Sequence, residues 1–220
     1  MHAVLASLRE AGIAGVPVPL HLTDEYEDVS LLPGDAGGDC WPHQATDSGL
    51  RSAARLLRRI HDATVGWIPP ADAVWGLPAT QPQEVVCHGD PGPWNMVWND
   101  GEAVGLFDWD FCHPGPRVED VAYALEYLAP FRDDAHAQRW QGFSSPPDRP
   151  GRIRAFCDAY GISSTGILDV VIDLQRRTRD HVRTLAHADV HPQVDWVAEG
   201  HLDELAARVA WSETHRNLFT

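Results

Sequence analysis

Residues 85–110 read VVCHGDPGPWNMVWNDGEAVGLFDWD and decide the fold of this chain. An apolar, strand-like run leads into His88–Asp90, and Asn95 follows five positions after the aspartate. Two further apolar runs flank the pair Asp100–Gly101, which supplies the positive φ angles of a tight hairpin turn. The stretch therefore predicts a buried strand, a polar loop and a β-hairpin, in that order.

The hairpin is expected to bring oxygen-bearing side chains together at its open end. With Asp100–Gly101 as the turn, strand alternation places Asn95 opposite Leu106 and points Asp108 the same way, so Asn95 and Asp108 become diagonal neighbours at roughly 7 Å. An amide oxygen and a carboxylate at that spacing can share one hard cation, and Asp90 arrives at the same end from the preceding strand. Taken singly, each of the three is better explained as a turn or cap residue, so the predicted site depends on their convergence.

The same residues resemble a known family. The intervals from Asp90 to Asn95 and from Asn95 to Asp108 resemble the catalytic loop and the metal-binding aspartate of the eukaryotic-like kinase fold. The local sequences at residues 88–90 and 107–110 resemble motifs of the aminoglycoside phosphotransferase family, which includes choline kinase and homoserine kinase relatives. The resemblance covers most of the chain through the segments LREAGIAGVPVPL, LLRRIHDAT, VEDVAYAL and FCDAYG.

The resemblance implies a role for each matching residue. Asp90 would accept the proton of a substrate hydroxyl and direct that hydroxyl at a nucleotide γ-phosphate. Asn95 and Asp108 would hold magnesium, with ATP or GTP as the phosphate donor. His88 would brace the catalytic loop through hydrogen bonds.

Two further acidic residues are candidates for a supporting role. Asp120 would either cap its own helix or, as in the family, bond the backbone of the catalytic loop. Asp110 would contact the metal or the substrate, or else be an ordinary solvated aspartate. The sequence leaves both alternatives open for each residue.

Two parts of the family's nucleotide site are missing from the sequence. The chain contains no G-x-G-x-x-G turn, and all 17 of its basic residues are arginine, so no residue matches the nucleotide lysine. Arginine does not replace that lysine easily, because its planar fork is too bulky for a slot that fits a compact ammonium group. Losing one comparable contact costs about 3 to 4 kcal/mol of transition-state stabilisation, so phosphate transfer is expected to be impaired.

The predicted fold class is α+β, a protein-kinase-like fold with a mostly helical C-terminal lobe and a reduced N-terminal lobe. Residues 1–39 would be the remnant of the small lobe, with one helix, two strands and a hinge, and residues 40–220 would be the helical large lobe. Because the family's first three strands are missing from this remnant, its sheet would have exposed edges. We therefore expect a homodimer that forms through the remnant sheet.

Several element boundaries are predicted as well. The second strand of the small lobe is expected at Val29–Leu32, after an acidic turn at residues 24–28, and the Gly- and Pro-rich segment Gly34–Gly49 is expected to be a linker. The helix after it is expected to begin at a cap on Asp47 or Ser48 and to end at His61. Four further helices are expected in RVEDVAYALEYLA, RIRAFCDAYG, ILDVVIDLQRRTRDHVRTLA and HLDELAARVAWSETHRNLF.

Charge and composition restrict the partners and the compartment. The formal net charge of −15 argues against nucleic acid and suits a polar or cationic small molecule, although acidity alone also keeps a protein in solution. No segment approaches the ~20 apolar residues of a membrane span, so no membrane partner is expected. The cysteines form no C-x-x-C pair and are expected to be free thiols, which predicts a cytoplasmic protein.

Three hypotheses follow for the function. The chain is a nucleotide- and magnesium-dependent phosphotransferase acting on a hydroxyl of a small molecule, or it is a kinase-fold protein that has lost catalysis and binds a small cationic or polar molecule. In the third hypothesis, the native product carries a whole small lobe upstream of Met1. Aminoglycosides, choline and amino alcohols all remain open as substrates.

Overall fold

A computed structural model describes residues 1–23 and 25–220, and the predicted acidic turn residue Asp24 lies outside them. The helices are α1 (His2–Glu10), α2 (Trp41–Ala45), α3 (Asp47–Thr64), α4 (Arg117–Leu128), α5 (Asp134–Trp140), α6 (Arg149–Tyr160), α7 (Ile167–His187), α8 (Gln193–Ala198) and α9 (His201–Thr214). The strands are β1 (Pro19–Leu22), β2 (Glu27–Val29), β3 (Val85–Cys87), β4 (Met96–Asn99), β5 (Glu102–Leu106) and β6 (His113–Gly115). They form three antiparallel pairs, β1 with β2, β3 with β6 and β4 with β5.

The N-terminal part consists of α1 and the β1–β2 hairpin. The second strand covers Glu27–Val29, so the predicted strand at Val29–Leu32 is wrong except for its first residue. The register explains the difference, because the ladder with β1 pairs Leu22 with Glu27 and ends where Pro19 meets Val29. Leu31, beyond the ladder, is 94% exposed.

The segment after β2 is tied to the rest of the fold. Asp35 forms an antiparallel bridge with Trp98 of β4, and residues 38–45 are helical. The predicted linker is therefore irregular chain only as far as Gly37, because the side chains that follow are packed. Gln44, for example, is fully buried and donates a hydrogen bond to the Gln141 carbonyl at 3.0 Å. The division of the chain between residues 39 and 40 stays a prediction.

Helix α3 has a different cap and a later end than predicted. The N-cap is Thr46, whose hydroxyl accepts a hydrogen bond from the Gly49 N–H at 3.0 Å, and the helix continues to Thr64. His61 lies inside the helix because its side chain belongs to the buried face with Leu57 and Ile60. A histidine at that position was predicted to end the helix and instead joins the core.

The β4–β5 hairpin follows the predicted register only next to its turn. A bulge leaves Val104 without a partner on β4, and every pair beyond it is shifted by one residue. Asn95 consequently lies opposite Phe107, whose N–H donates to the Asn95 carbonyl at 3.0 Å, and not opposite Leu106. The predicted pairing of Asn95 with Leu106 is therefore wrong.

The C-terminal part is mostly helical, and α4, α6, α7 and α9 occupy segments predicted as helices. The short helices α5 and α8 were not predicted. Helix α3 packs against α6, and α7 packs against both α4 and α9. The apolar core includes Trp98, Trp109 and Phe156. Within the described ranges, no helix combines the length and the apolar character that crossing a bilayer requires.

Exposed apolar residues on the β1–β2 hairpin provide a way to test the predicted homodimer. Leu20 and Leu22 of β1 are 63% and 61% exposed, although both are large apolar residues. We expect the double substitution Leu20→Glu/Leu22→Glu to lower the mass measured by sedimentation velocity from dimer to monomer, because buried charge opposes association. Val74→Glu, at an 85% exposed position outside the two strands of this hairpin, is the matched control. A monomeric wild type would contradict the prediction.

Candidate active site

The catalytic loop leaves β3 in a conformation that requires glycine. Gly89 has a φ of 87°, in the left-handed region, and a Cβ there would lie 2.3 Å from the Phe111 carbonyl oxygen. Any side chain would therefore push the loop away from the segment that precedes β6. This close approach orients the next residue, Asp90, toward the interior of the C-terminal part.

The two carboxylate oxygens of Asp90 have different surroundings. Oδ2 accepts hydrogen bonds from Trp94 Nε1 at 3.2 Å and from Asn95 Nδ2 at 3.1 Å, and Asn95 Nδ2 also donates to the Asp90 carbonyl at 2.9 Å. Oδ1 is buried and has no hydrogen-bond partner among residues 1–23 and 25–220. A buried acceptor without a donor costs about 1 to 3 kcal/mol, so a ligand group that donates a hydrogen bond to Oδ1 would stabilise it.

Burial also changes the proton affinity of Asp90. The pKa of this carboxyl is raised to about 6. Desolvation is the main cause and the negative charge of Asp108 acts in the same direction, while hydrogen bonds from Tyr123, Trp94 and Asn95 act to lower the pKa. A carboxylate with a pKa near 6 is ionised at neutral pH and still has an appreciable affinity for a proton. Asp90 thus has the properties of a general base.

His88 is a brace and not a proton carrier. Its Nε2–H donates to the Phe107 carbonyl at 2.9 Å, and its Nδ1 accepts from the Asp90 N–H at 3.2 Å, so both ring nitrogens are used. Burial lowers the pKa of His88 to about 4, which keeps the ring neutral in this arrangement. The His88 ring connects the catalytic loop to the end of β5. It packs edge-on against the Trp109 ring, and the two ring centroids are 4.7 Å apart.

Asp120 bonds the backbone of the catalytic loop, which is the second of the two roles predicted for it. Its carboxylate accepts hydrogen bonds from the backbone N–H groups of His88 and Gly89, at 2.6 Å and 3.0 Å. It also accepts from His61 Nε2 at 3.0 Å, and His61 Nδ1 lies 2.6 Å from the Tyr160 hydroxyl. Burial acts to raise the pKa of Asp120, but these hydrogen bonds and nearby charges hold it below its ordinary value.

His61 and Tyr160 were not recognised from the sequence. A signal was present for His61, since a polar residue one position after Ile60 on an apolar helix face requires a buried partner. Nothing in the sequence identified that partner, because Asp120 lies 59 residues away.

Asn95, Asp108 and Asp110 bring oxygen ligands to the open end of the hairpin. Asn95 is buried and uses its amide nitrogen internally, which leaves its oxygen available. Asp108 and Asp110 are exposed, and Asp108 has a left-handed φ of 63°. Desolvation raises the pKa of Asp108, and the charge of Asp110 raises it further. A hard divalent cation would relieve that repulsion, so the donor set fits magnesium.

The family's nucleotide contacts do not fit this chain. The catalytic-loop and metal residues are present, but no lysine occurs in the sequence and no glycine-rich turn precedes them. The β1–β2 hairpin ends in the acidic side chains Glu25 and Glu27. Acidic groups repel phosphates, so this hairpin does not supply the missing clamp.

Two other clusters have metal-ligand composition, and both share Cys87. Their histidines and carboxylates are already bonded to each other, as His61 is to Asp120 and His113 is to Glu119 at 3.2 Å. Burial raises the pKa of the Cys87 thiol well above its usual range, which disfavours the thiolate that a metal needs. The geometry therefore favours a structural role for both clusters.

A cavity of about 550 Å³ opens in front of Asp90. The catalytic loop and α4 form one wall, through Asp90, Trp94 and Tyr123, and helices α7, α8 and α9 form the other. Such a volume suits a small organic molecule. The site thus places a half-buried carboxylate, Asp90, on the wall of a cavity, with the oxygen-bearing side chains of Asn95 and Asp108 nearby in the chain.

Comparison with known proteins identifies the family. A sequence profile described as the phosphotransferase enzyme family matches residues 1–77 and 67–156. The chain therefore belongs to this family, and the resemblance noted in the sequence is confirmed. A curated relative, the trifolitoxin immunity protein of Rhizobium leguminosarum bv. trifolii, is 38% identical over 165 residues, which cover 73% of this chain and 63% of that protein. The chain thus spans less than two thirds of the length of this relative.

Comparison with solved structures identifies the fold. The crystal structure of a candidate aminoglycoside phosphotransferase from Ralstonia eutropha JMP134 superposes with a TM-score of 0.61 at 14% identity, over 97% of this chain and 82% of that one. Identity at this level is informative about the fold alone. The predicted α+β, kinase-like architecture is confirmed.

Proposed function

We propose that this protein is a small-molecule phosphotransferase that acts on a hydroxyl group of a substrate bound in the 550 Å³ cavity. The observation that supports this function best is the unpartnered, buried Oδ1 of Asp90 on the cavity wall. A substrate hydroxyl that donates to Oδ1 would satisfy this oxygen. Family membership makes ATP or GTP the expected donor.

The chemistry of the chain's own residues is proton transfer and positioning. Trp94 and Asn95 hold Oδ2 of Asp90, so Oδ1 is the atom that takes the hydroxyl proton. Asn95 and Asp108 would hold magnesium, which when bound neutralises phosphate charge. The aromatic walls exclude water from the hydroxyl and so protect the reaction from hydrolysis.

A second candidate function is binding without catalysis. The absence of the lysine and the glycine-rich turn favours it, while the cavity itself is complete in the described part of the chain. The name of the related trifolitoxin immunity protein is compatible with a protein that protects against a toxin by binding it or by modifying it. The ligand would then be a small cationic or polar molecule.

Nucleotide binding separates the two candidates. We expect titration calorimetry with magnesium and ATP, or with magnesium and GTP, to give a saturable signal that is lost in Asp108→Ala, because this carboxylate would hold the metal that binds the phosphates. Asp158→Ala, an exposed aspartate on α6, is the matched control and should bind like the wild type. No heat with either nucleotide would favour the binding protein.

A cytoplasmic location is part of the same proposal. Cys40, Cys87, Cys112 and Cys157 are all free and buried. Unpaired thiols suit a reducing compartment, where nucleotides are also available.

A further inference from the structure

A second buried polar group without a partner lies on the same cavity. Gln193, the first residue of α8, is 6% exposed, and its Oε1 is buried with no hydrogen-bond partner in the described part of the chain. The residue lines the cavity together with Asp90, from the helical wall opposite the catalytic loop. Two residues with unsatisfied polar groups thus line the same cavity.

An amide in that position is costly unless a ligand meets it. Leaving a buried polar group unpaired costs about 1 to 3 kcal/mol, whereas an apolar residue of similar shape would avoid this penalty. A side-chain amide offers both a donor and an acceptor, so it is complementary to a hydroxyl or amide group of a ligand. Because its unpartnered atom is the acceptor Oε1, the ligand group that satisfies it must donate a hydrogen bond.

Apart from Asp90, the acidic groups on the described cavity wall are already paired. Glu119 accepts hydrogen bonds from Arg177 at 2.6 Å, from Thr80 at 2.8 Å and from His113 at 3.2 Å. Both oxygens of the other buried carboxylate, that of Asp120, are likewise bonded. Among the described acidic groups of the cavity, Asp90 alone offers an unpartnered oxygen. A polycation would find little compensation for its charge here and would also meet guanidinium groups.

The rest of the wall is mostly apolar and aromatic, through Phe111, Leu174, Val182, Leu185, Trp196 and Leu205. Thr178, His181, His201 and Arg208 add polar groups to it. Such a surface binds a hydrocarbon or ring body by excluding water from it.

We propose that the substrate is an uncharged amphiphilic alcohol, and that Gln193 determines specificity by binding its second polar group while Asp90 receives the hydroxyl. This inference rests on the proposed function and replaces the cationic substrate that the net charge suggests. The apolar body of the substrate would fill the space between the two polar groups.

Binding of a simple amphiphile tests the proposal without nucleotide or magnesium. We expect calorimetry to show saturable binding of octyl β-D-glucoside below its micelle concentration, about tenfold tighter than hexyl β-D-glucoside because two more methylenes are buried. The polycation kanamycin should give no saturable signal. In Gln193→Leu the affinity for octyl glucoside should fall about tenfold, as the loss of one neutral hydrogen bond requires.

Thermal stability distinguishes ligand recognition from a structural role. Without ligand, Gln193→Leu should melt at the same temperature as the wild type or higher, since it removes an unsatisfied buried amide. The matched control is Gln141→Leu, which removes another buried amide with an unpaired Oε1 outside the cavity and should leave glucoside affinity unchanged. A lower melting temperature together with unchanged affinity in Gln193→Leu would overturn the assignment.

Two other results would also overturn the inference. One is kanamycin binding more tightly than octyl glucoside, and the other is a lack of saturable binding by either glucoside. If the glucosides bind through Gln193 but no phosphate is transferred to any alcohol, the proposed function fails while the inference about the cavity stands. The two failures are therefore distinguishable.

Discussion

Replacing Asp90 by asparagine is expected to lower phosphate transfer by about 10²- to 10⁴-fold, the usual contribution of a general base. Asparagine keeps the size of the side chain and an oxygen that can accept from Trp94 and Asn95, but it cannot take a proton. The measurement is phosphate transfer to an alcohol, followed with labelled nucleotide. Asp158→Asn, on the exposed side of α6, is the control and should retain wild-type activity.

The raised pKa of Asp90 gives this prediction a pH dependence. The base must be ionised, so the rate should rise with pH through a midpoint of about 6 and level off above it. Carbon NMR of the labelled carboxyl group should give the same midpoint in the free protein. A midpoint near 4 would contradict the desolvation that the burial of Asp90 predicts.

Asp90→Asn is expected to lower activity but to raise the stability of the fold at neutral pH. The folded-state pKa of Asp90 is raised from 3.8 to about 6, so the group stabilises the fold below pH 4, and that contribution is lost as the pH rises through 6. At neutral pH the ionised side chain therefore lowers the free energy of unfolding by about 3 kcal/mol. Asp90→Asn should raise the urea midpoint at pH 8 more than at pH 4. An equal change at both values would contradict this account.

Replacing Asp120 by alanine is expected to lower the free energy of unfolding by about 3 to 5 kcal/mol, the range for removal of one member of a buried charged network. The substitution leaves the backbone N–H groups of His88 and Gly89 and the ring of His61 without an acceptor. Urea denaturation at neutral pH measures the loss. Phosphate transfer should fall as well, because the catalytic loop loses its anchor.

A second variant and the pH dependence of stability test the Asp120 prediction further. Asp120→Asn retains an acceptor oxygen but turns an N–H group toward a neighbouring donor, so its loss of stability should be smaller than that of alanine and still measurable. The folded-state pKa of Asp120 is lowered, so its contribution is present above the ordinary value of 3.8 and is lost as the pH falls below that value. A loss of less than about 1 kcal/mol in Asp120→Ala would show that the network has little energetic weight.

Local patterns were sufficient for much of the fold. The strand, the loop and the Asp100–Gly101 turn were predicted correctly, because turn geometry depends on neighbouring residues. Helices α4, α6, α7 and α9 were also predicted, since apolar residues at helical spacing indicate one buried face. The spacing from Asp90 to Asn95 was informative for the same reason, as both residues belong to one short loop.

The details of the site depended on contacts between distant residues. The bulge at Val104 moved Asn95 opposite Phe107. Gly105 beside it is a local signal for a bulge, but it does not fix the resulting register. The choice between capping and loop bonding for Asp120 required the position of the catalytic loop, 31 and 32 residues away. Likewise, His61 was placed at a helix end because its buried partners could not be seen.

By itself, the sequence determined the family and the order of the main elements, because both depend on patterns among neighbouring residues. The assignment of Asn95 and Asp108 as metal ligands stays a prediction. Only the tertiary structure decided which oxygen of Asp90 is unpartnered, how far its pKa is raised and that Gln193 faces it across one cavity. Burial and desolvation depend on everything that packs around a group. For Asp90 those neighbours include Tyr123 of α4, and Gln193 lies on α8, which packs against α7 and α9.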